Sequence, residues 1–185
     1  MANDYVEAVR QQREQKSQYF GNNPRSPIPD EDREDFPGLE YFPVDEALRF
    51  EVRLHEHDEK DTVTVETTAG GQREYLVWGE FRVEVDGEKV VLQAFKGDEH
   101  EEYLWVPFRD ETNGEETYGA GRYIDLEYGE DQLDAATWVL DFNEAYNPTC
   151  AYNEAYECPL IPTENWLDVP IEAGEKAYPG ESGDH

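Results

Sequence analysis

The sequence predicts a mainly β protein, an antiparallel β-sandwich or open barrel with one N-terminal α-helix and an extended C-terminal wrap. Apolar and polar residues alternate along several segments between residues 48 and 142, and this period of two is typical of half-buried strands. Turn signals separate these segments about every ten residues, which is the spacing of an antiparallel sandwich or barrel. No strand–helix–strand alternation is visible, so the sequence argues against a parallel sheet.

The first 25 residues are predicted to contain an amphipathic helix that packs on the same domain. Apolar side chains recur at helical spacing over residues 4–20, although Lys16 interrupts the stripe. The residues near this face are Tyr5, Val9, Lys16, Tyr19 and Phe20. The run Gly-Asn-Asn-Pro at residues 21–24 ends the helix. Because the apolar stripe is thin, we expect the helix to pack on a larger surface.

Residues 26–185 are predicted to form a single β domain with a proline-rich C-terminal wrap. A lead-in punctuated by prolines, with a short helical turn at residues 30–36, precedes the first strand. The predicted strands cover residues 48–54, 62–68, 75–85, 89–95, 103–108, 122–127 and 137–142. Asp86 and Gly87 lie between two alternating runs and indicate a hairpin with a type I′ turn. Beyond Phe142, prolines break a chain that still carries aromatic residues, which indicates a segment wrapped over the β core.

The chain of 185 residues is strongly acidic, with 45 Asp and Glu residues against 15 Lys and Arg and a formal net charge of −30. The acidic residues are spread along the whole sequence, which favours a surface adapted to concentrated salt over an acidic interaction segment. No basic patch for phosphate contacts is visible, so nucleic acid is not an expected partner. No apolar run reaches ~20 residues and no signal peptide is visible, so we expect a soluble, cytoplasmic protein that does not span a membrane.

The cysteines and histidines predict neither a metal site nor a cofactor. Seven residues separate Cys150 from Cys158, a spacing that fits neither a C-x-x-C redox motif nor a zinc knuckle. We expect two buried thiols, with a short-range disulfide as the alternative. His55 and His57 share one face of a strand and could bind a divalent ion, but a solvated strand end explains them more simply. Neither a nucleotide-binding glycine motif nor a Ser-His-Asp signature is visible.

Three segments of unusual sequence resemble a known family. They are FPGLEYFPVD at residues 36–45, FRDETNGEETYGAGRYIDL at residues 108–126 and the run from residue 140 to residue 178. These segments resemble domain-of-unknown-function family 1684, and the chain looks like its short haloarchaeal form. The activity of that family is unknown. The resemblance therefore implies where a site lies and does not imply what the site does.

The densest cluster of polar residues defines the candidate site. Its members are Arg109, Asp110, Thr112, Tyr118, Arg122, Asp141, Asn143, Tyr146 and Asn147. Arginines, hydroxyls and amides can hold a small polar or anionic ligand such as a carboxylate, phosphate or sugar. The alternative is structural, with buried Arg–Asp pairs fastening the C-terminal segment. The leading functional hypothesis is a non-catalytic binding module for such a ligand.

Two other functions stay open from the sequence. A hydrolase-type enzyme would use Asp110 or Asp141 as its general base, which requires a desolvated carboxylate in an open cleft. A protein-interaction module would present a strand edge or the C-terminal segment to an unknown partner protein. Arg122 bears on this choice, because strand parity turns it toward the apolar side, where a charge must be paired. Asp141 is its first predicted partner and Asp110 its second.

Overall fold

A computed structural model describes residues 2–153 and 156–178 of the chain. The end of the predicted wrap, residues 179–185, lies outside the described residues. The α-helices are α1 (Ala2–Asn22) and α2 (Asp30–Arg33). The strands are β1 (Arg49–Glu56), β2 (Thr62–Glu66), β3 (Gln72–Val85), β4 (Glu88–Lys96), β5 (Tyr103–Phe108), β6 (Arg122–Glu127) and β7 (Thr137–Asp141). Short 3-10 turns lie at Glu46–Leu48, Phe142–Glu144, Thr149–Ala151 and Thr163–Asn165.

The seven strands of the described chain form one antiparallel sheet, which confirms the mainly β prediction. Along the sheet the order is β6-β5-β4-β3-β1-β7, and β2 pairs with the first half of β3. The two ends of this order, β6 and β7, approach each other. The sheet is therefore nearly closed and barrel-like, which corresponds to the open-barrel form of the prediction.

β3 and β4 form the hairpin that the Asp-Gly pair predicts. Both turn residues have positive φ, 51° at Asp86 and 82° at Gly87, as a type I′ turn requires. The pairing of the two strands shifts once, between Val77 and Gly79. A Cβ atom at Gly79 would lie 2.8 Å from Leu54 Cδ1. The close approach of β1 to β3 therefore requires a glycine at this position.

The main hydrophobic core fills the interior of the sheet. Its members include Phe81, Phe108 and Trp138 from the sheet, Phe142 from the 3-10 turn that follows β7, and Val169, Ile171 and Ala173 from the C-terminal segment. Burying an aliphatic or aromatic side chain of this size contributes roughly 1.5–3 kcal/mol. The C-terminal segment is thus a component of the core, and the prediction that it merely wraps over the core understates its role.

A second apolar cluster lies on the opposite, outer face of the sheet. Phe95 and Trp105 point away from the interior because they alternate with core residues along β4 and β5. The Trp105 ring stacks on Tyr75, with ring centroids 4.7 Å apart. Ile161 of the C-terminal segment packs against this cluster. Both faces of the central strands are therefore covered, which is why these strands carry large apolar residues at successive positions.

α1 extends two residues beyond the predicted helix at each end and packs on the β domain. Val9 and Phe20 are buried, and the Phe20 ring meets Tyr152 edge-on, with centroids 4.9 Å apart. Tyr19, which the sequence placed on the packed face, is 44% exposed. That placement is wrong because Phe20, one position further, occupies the contact with the C-terminal segment. The division of the chain near residue 25 stays a prediction.

Candidate functional site

The predicted site residues do not converge on one cleft. The fold distributes most of them among three buried hydrogen-bond networks, which we name after their central residues, Arg122, Asp141 and Glu175. Each network joins residues that are far apart in the sequence. The networks therefore fasten α1 and the C-terminal segment to the sheet.

The Arg122 network holds the C-terminal segment with a guanidinium group. The side chain of Arg122, on β6, is 0% exposed. It donates hydrogen bonds to the backbone carbonyl oxygens of Ile171 (2.9 Å), Ala173 and Glu175 (3.2 Å). Its Cζ atom lies 5.0 Å from the centroid of the Phe108 ring. Burial lowers the pKa of Arg122, and the negative charge of Asp110 opposes this effect.

Asp110 is the acidic partner of Arg122, with Oδ1 3.5 Å from Nη2. Its Oδ2 atom accepts hydrogen bonds from the Thr112 hydroxyl (2.8 Å) and the Ile171 amide (2.6 Å). The prediction that Asp141 is the partner of Arg122 is therefore wrong, and the second choice, Asp110, is confirmed. The carboxylate of Asp141 instead caps the 3-10 turn that follows β7, and such local bonds compete with distant partners.

The Asp141 network ties α1 to the end of the sheet. Oδ2 of Asp141 accepts a hydrogen bond from the Tyr5 hydroxyl of α1. The Asn143 side chain accepts from the Asp45 amide at 2.9 Å and donates to the Asp45 carbonyl oxygen at 2.8 Å. Burial and the hydrogen bond to Asp141 raise the pKa of Tyr5. Asp141 is 2% exposed, so its carboxylate stands in no open cleft.

The Glu175 network was missed by the sequence analysis. The Glu175 side chain is 1% exposed. It accepts hydrogen bonds from Lys16 Nζ (2.9 Å), the Asn147 amide (3.1 Å) and the Tyr152 hydroxyl. The side-chain amide of Asn147 also donates to the Lys176 carbonyl oxygen at 2.9 Å. The sequence did contain one indication of this network. Lys16 lies on the packed face of the helix, and a cation in such a position needs a buried anion.

The remaining predicted residues make separate contacts. Arg109 packs its guanidinium group over the ring of Trp166, 4.5 Å from the centroid. The Tyr146 hydroxyl donates to Asp125 Oδ2 at 2.6 Å. Tyr118 is buried, and its carbonyl oxygen accepts a hydrogen bond from the Gly121 amide at 3.0 Å.

A small cavity of about 150 Å³, here called the helix cavity, lies between α1 and the turn at Phe142–Glu144. Its lining comprises Val9, Gln12, Arg13, Lys16, Tyr41, Asn143, Glu144, Ala145 and Tyr146. Two predicted site residues, Asn143 and Tyr146, thus line the same cavity as two cations of α1. Sequence reasoning could not find this arrangement, because nothing in residues 4–20 indicates which part of the domain the helix covers.

Arg13 is the half-buried cation of the helix cavity. It donates to the carbonyl oxygens of Phe42 (2.8 Å) and Asn143 (3.3 Å). Its Cζ atom lies 4.5 Å from the centroid of the Tyr41 ring. Within the described part of the chain, no carboxylate lies at ion-pair distance from Arg13 and its buried Nε has no hydrogen-bond partner. Burial lowers the pKa of Arg13.

Glu144 lies at the rim of the helix cavity and titrates near neutral pH. Desolvation, with the negative charges of Asp141 and Asp131, raises the pKa of Glu144 to about 7. The carboxyl group is therefore largely protonated in mildly acidic solution. The charge of the cavity consequently becomes more positive as the pH falls through this value.

Comparison with known proteins identifies the family. The family model described as "Protein of unknown function (DUF1684)" matches residues 34–176. The chain belongs to DUF1684. Among solved structures it is similar to an uncharacterized protein of Haloarcula marismortui determined by solution NMR. The two are 38% identical over 95% of each chain, with a TM-score of 0.71. No curated protein matches the chain.

In this DUF1684 member, both cysteines are buried free thiols. The Cys150 thiol donates to the Tyr156 carbonyl oxygen at 3.0 Å, and the Thr149 hydroxyl lies 3.4 Å from Cys158 Sγ. Burial, with the neighbouring Cys158, raises the pKa of Cys150 to about 11. A thiol of this kind is largely protonated at neutral pH and reacts slowly. The alternative of a short-range disulfide is not adopted.

The two histidines singled out in the sequence do not share a site. His55 lies on β1 opposite Glu80, whereas His57 follows the strand and bonds the Gln93 side chain at 2.9 Å. In residues 2–153 and 156–178, no group of three histidine, cysteine, aspartate or glutamate side chains is placed to hold a metal ion. No helix of this part is long and apolar enough to cross a membrane.

Proposed function

We propose that this protein is a non-catalytic binding module for a small anionic ligand, which it holds in the helix cavity. The observation that carries the proposal is Arg13, a half-buried guanidinium group with no carboxylate at ion-pair distance among the described residues. A buried charge is costly unless an opposite charge or full hydrogen bonding compensates it. An anion in the cavity would supply the missing negative charge.

The lining of the helix cavity also supports an anion. Lys16 uses one of its three N–H donors on Glu175, which leaves donors for a ligand. Tyr41 and Gln12, which carry a hydroxyl and an amide, also line this cavity. In a chain of net charge −30, Glu175 neutralises Lys16, so Arg13 is the cation of this cavity that remains to attract an anion.

The size of the cavity limits the class of ligand. Its volume of about 150 Å³ is below the roughly 300–1,000 Å³ typical of drug-sized ligands. A carboxylate of a few carbon atoms or an inorganic phosphate matches this volume, whereas a nucleotide does not. Asn143 also lines the cavity, but its side chain already forms hydrogen bonds with Asp45 and Asp141.

NMR titration with acetate and with inorganic phosphate, at a constant potassium chloride concentration, tests the proposal. We expect both probes to shift the Arg13 Nε–H signal, and Arg13→Gln to weaken binding about tenfold or more. Arg10→Gln is the matched control, because Arg10 lies on the exposed face of the same helix. Binding of acetate, which keeps its charge in this range, should strengthen as the pH falls through about 7, when Glu144 loses its charge. The absence of any shift at ~0.1 M of either probe would contradict the proposal.

The same proposal includes concentrated salt as the working solvent. The formal net charge of −30 supports it, since self-repulsion of this size destabilises a compact chain unless counterions screen it. A location in the cytoplasm stays a prediction. The ligand titration should therefore be carried out at molar salt, where chloride sets the same competing background for every variant.

A further inference from the structure

A second and larger cavity, here called the sheet cavity, lies on the outer face of the sheet. Its volume is about 450 Å³, within the roughly 300–1,000 Å³ range of small-molecule sites. Its lining comprises His57, Asp58, Glu59, Asp61, Val63, Val77, Gln93, Phe95 and Glu164. None of these residues belongs to the helix cavity or to the three networks, so this cavity is independent of the function proposed above.

Hydrogen bonds fix both walls of the sheet cavity. On one side, the amide of His57 donates to the Trp78 carbonyl oxygen at 3.0 Å, and the Val77 amide donates to the Asp61 carbonyl oxygen at 2.8 Å. On the other side, Asn165 exchanges hydrogen bonds with the backbone of Gln93 at 2.8 and 2.9 Å. The cavity is therefore preformed, and a ligand would not have to order its walls.

The floor of the sheet cavity is apolar and its rim is acidic. Val63 and Val77 are half-buried, and Phe95 is buried beneath them. Four exposed carboxylates form the rim, from Asp58, Glu59, Asp61 and Glu164. An apolar floor favours a hydrocarbon body in the ligand, and a rim of one charge favours a ligand of the opposite charge.

The rim carboxylates are not neutralised by the protein. Across the described ranges, no lysine, arginine or histidine forms an ion pair with any of the four. Lys60 is the cation nearest in sequence. It is turned to Glu56 at 2.9 Å, with its Nζ atom 4.5 Å from the centroid of the Trp78 ring. The negative potential of the rim is therefore available to a ligand.

We infer that the sheet cavity binds a small organic cation, an amine or guanidinium group carried on a short apolar body. The body would lie on Val63, Val77 and Phe95, and the cation would lie among the rim carboxylates. The paired His57 and Gln93 side chains, joined at 2.9 Å, offer polar contacts at the edge of the floor. A nucleic acid or another polyanion is excluded from this surface by its charge.

Calorimetric titration with three matched probes tests the inference. Phenethylammonium, 2-phenylethanol and 3-phenylpropionate offer similar bodies with positive, zero and negative charge. At about 0.5 M potassium chloride, where exposed charges are only partly screened, we expect the cation to bind at least about fivefold tighter than the alcohol and the anion to bind weakest. NMR shifts of the Val63 and Val77 methyl groups should locate the binding.

Two double variants separate the site from the general acidity of the surface. Asp61→Asn with Glu164→Gln should abolish the preference for the cation and leave binding of 2-phenylethanol unchanged. Glu84→Gln with Glu172→Gln removes the same charge from a cavity elsewhere on the molecule and should leave the preference intact. Equal affinity for all three probes, binding of Mn²⁺ alone at this site, or no binding of the cation at ~10 mM would each overturn the inference.

Discussion

At the arginines Arg13 and Arg122, backbone carbonyl oxygens supply most of the hydrogen bonds. Arg122 bonds three carbonyl groups of the C-terminal segment and one carboxylate, whereas the hydrogen bonds of Arg13 within the described residues go to carbonyl oxygens alone. Carbonyl dipoles satisfy the donors of a guanidinium group without neutralising its charge. A carboxylate therefore lies at ion-pair distance from Arg122 but not, within the described residues, from Arg13, and this difference separates a structural arginine from a candidate binding arginine.

Arg122→Ala should lower the free energy of unfolding by about 3 kcal/mol or more, because it removes the cationic partner of the buried Asp110 carboxylate and the donors to three buried carbonyl groups. Chemical denaturation in molar salt measures the loss. Hydrogen exchange should also show lost protection at residues 171–175. Arg82→Ala is the control, since Arg82 forms an exposed pair with Glu80 and such pairs contribute at most about 1 kcal/mol. A fully stable Arg122→Ala variant would instead assign Arg122 a functional role.

Glu144→Gln should stabilise the protein above neutral pH. The pKa of Glu144 is about 7 in the folded protein against an ordinary value of 4.5, so the folded state binds the extra proton between these values. Stability is therefore lost as the pH rises from about 4.5 to about 7. Because Glu144 is partly exposed to solvent, we expect a discounted gain of about 1 kcal/mol for the variant at pH 8.

Denaturation of the Glu144→Gln variant at several pH values in constant salt measures this gain. Glu88→Gln, at an exposed position beside the hairpin turn, gives the background effect of removing one negative charge. The gain at Glu144 should exceed that background at pH 8 and disappear at about pH 5. Equal gains for the two variants at every pH would contradict the assignment of a raised pKa to Glu144.

The hairpin of β3 and β4 is the element that depends most directly on local sequence. The type I′ turn needs positive φ at both central residues, and Gly87 has φ 82° with no atom within 4 Å of a Cβ built there. Gly87→Val should therefore cost about 1 kcal/mol or more through backbone strain alone. Thermal and chemical unfolding measure the loss. The exposed Lys89→Val, on β4, should be nearly neutral, and an equally neutral Gly87→Val would contradict the turn assignment.

Element boundaries follow the sequence closely where the pattern is local. β5 and β6 begin and end where the alternation predicts, at residues 103–108 and 122–127, because strand parity and turn residues act over neighbouring positions. The C-terminal segment is the element whose role the sequence understated. Its prolines predict an extended path, but nothing local indicates that Ile171 enters the interior of the sheet.

At the scale of the whole molecule, the net charge of −30 predicts a strong dependence of stability on salt. The midpoint of thermal unfolding should rise steeply between ~0.1 M and molar potassium chloride, since the Debye length falls from roughly 10 Å to roughly 3 Å. Calorimetry at several salt concentrations measures the rise. A protein of similar length with near-zero net charge serves as control, and equal melting temperatures at both salts would contradict salt adaptation.

The sequence by itself determined the antiparallel β class, the type I′ hairpin and the N-terminal helix. Each of these depends on the period of apolar residues or on turn residues such as Asp86 and Gly87, which act locally. Only the tertiary structure decided the partners of the buried polar groups, Arg122 with Asp110 and Lys16 with Glu175. The physical reason is that a buried charge requires some partner, while its identity depends on which distant segments meet in space.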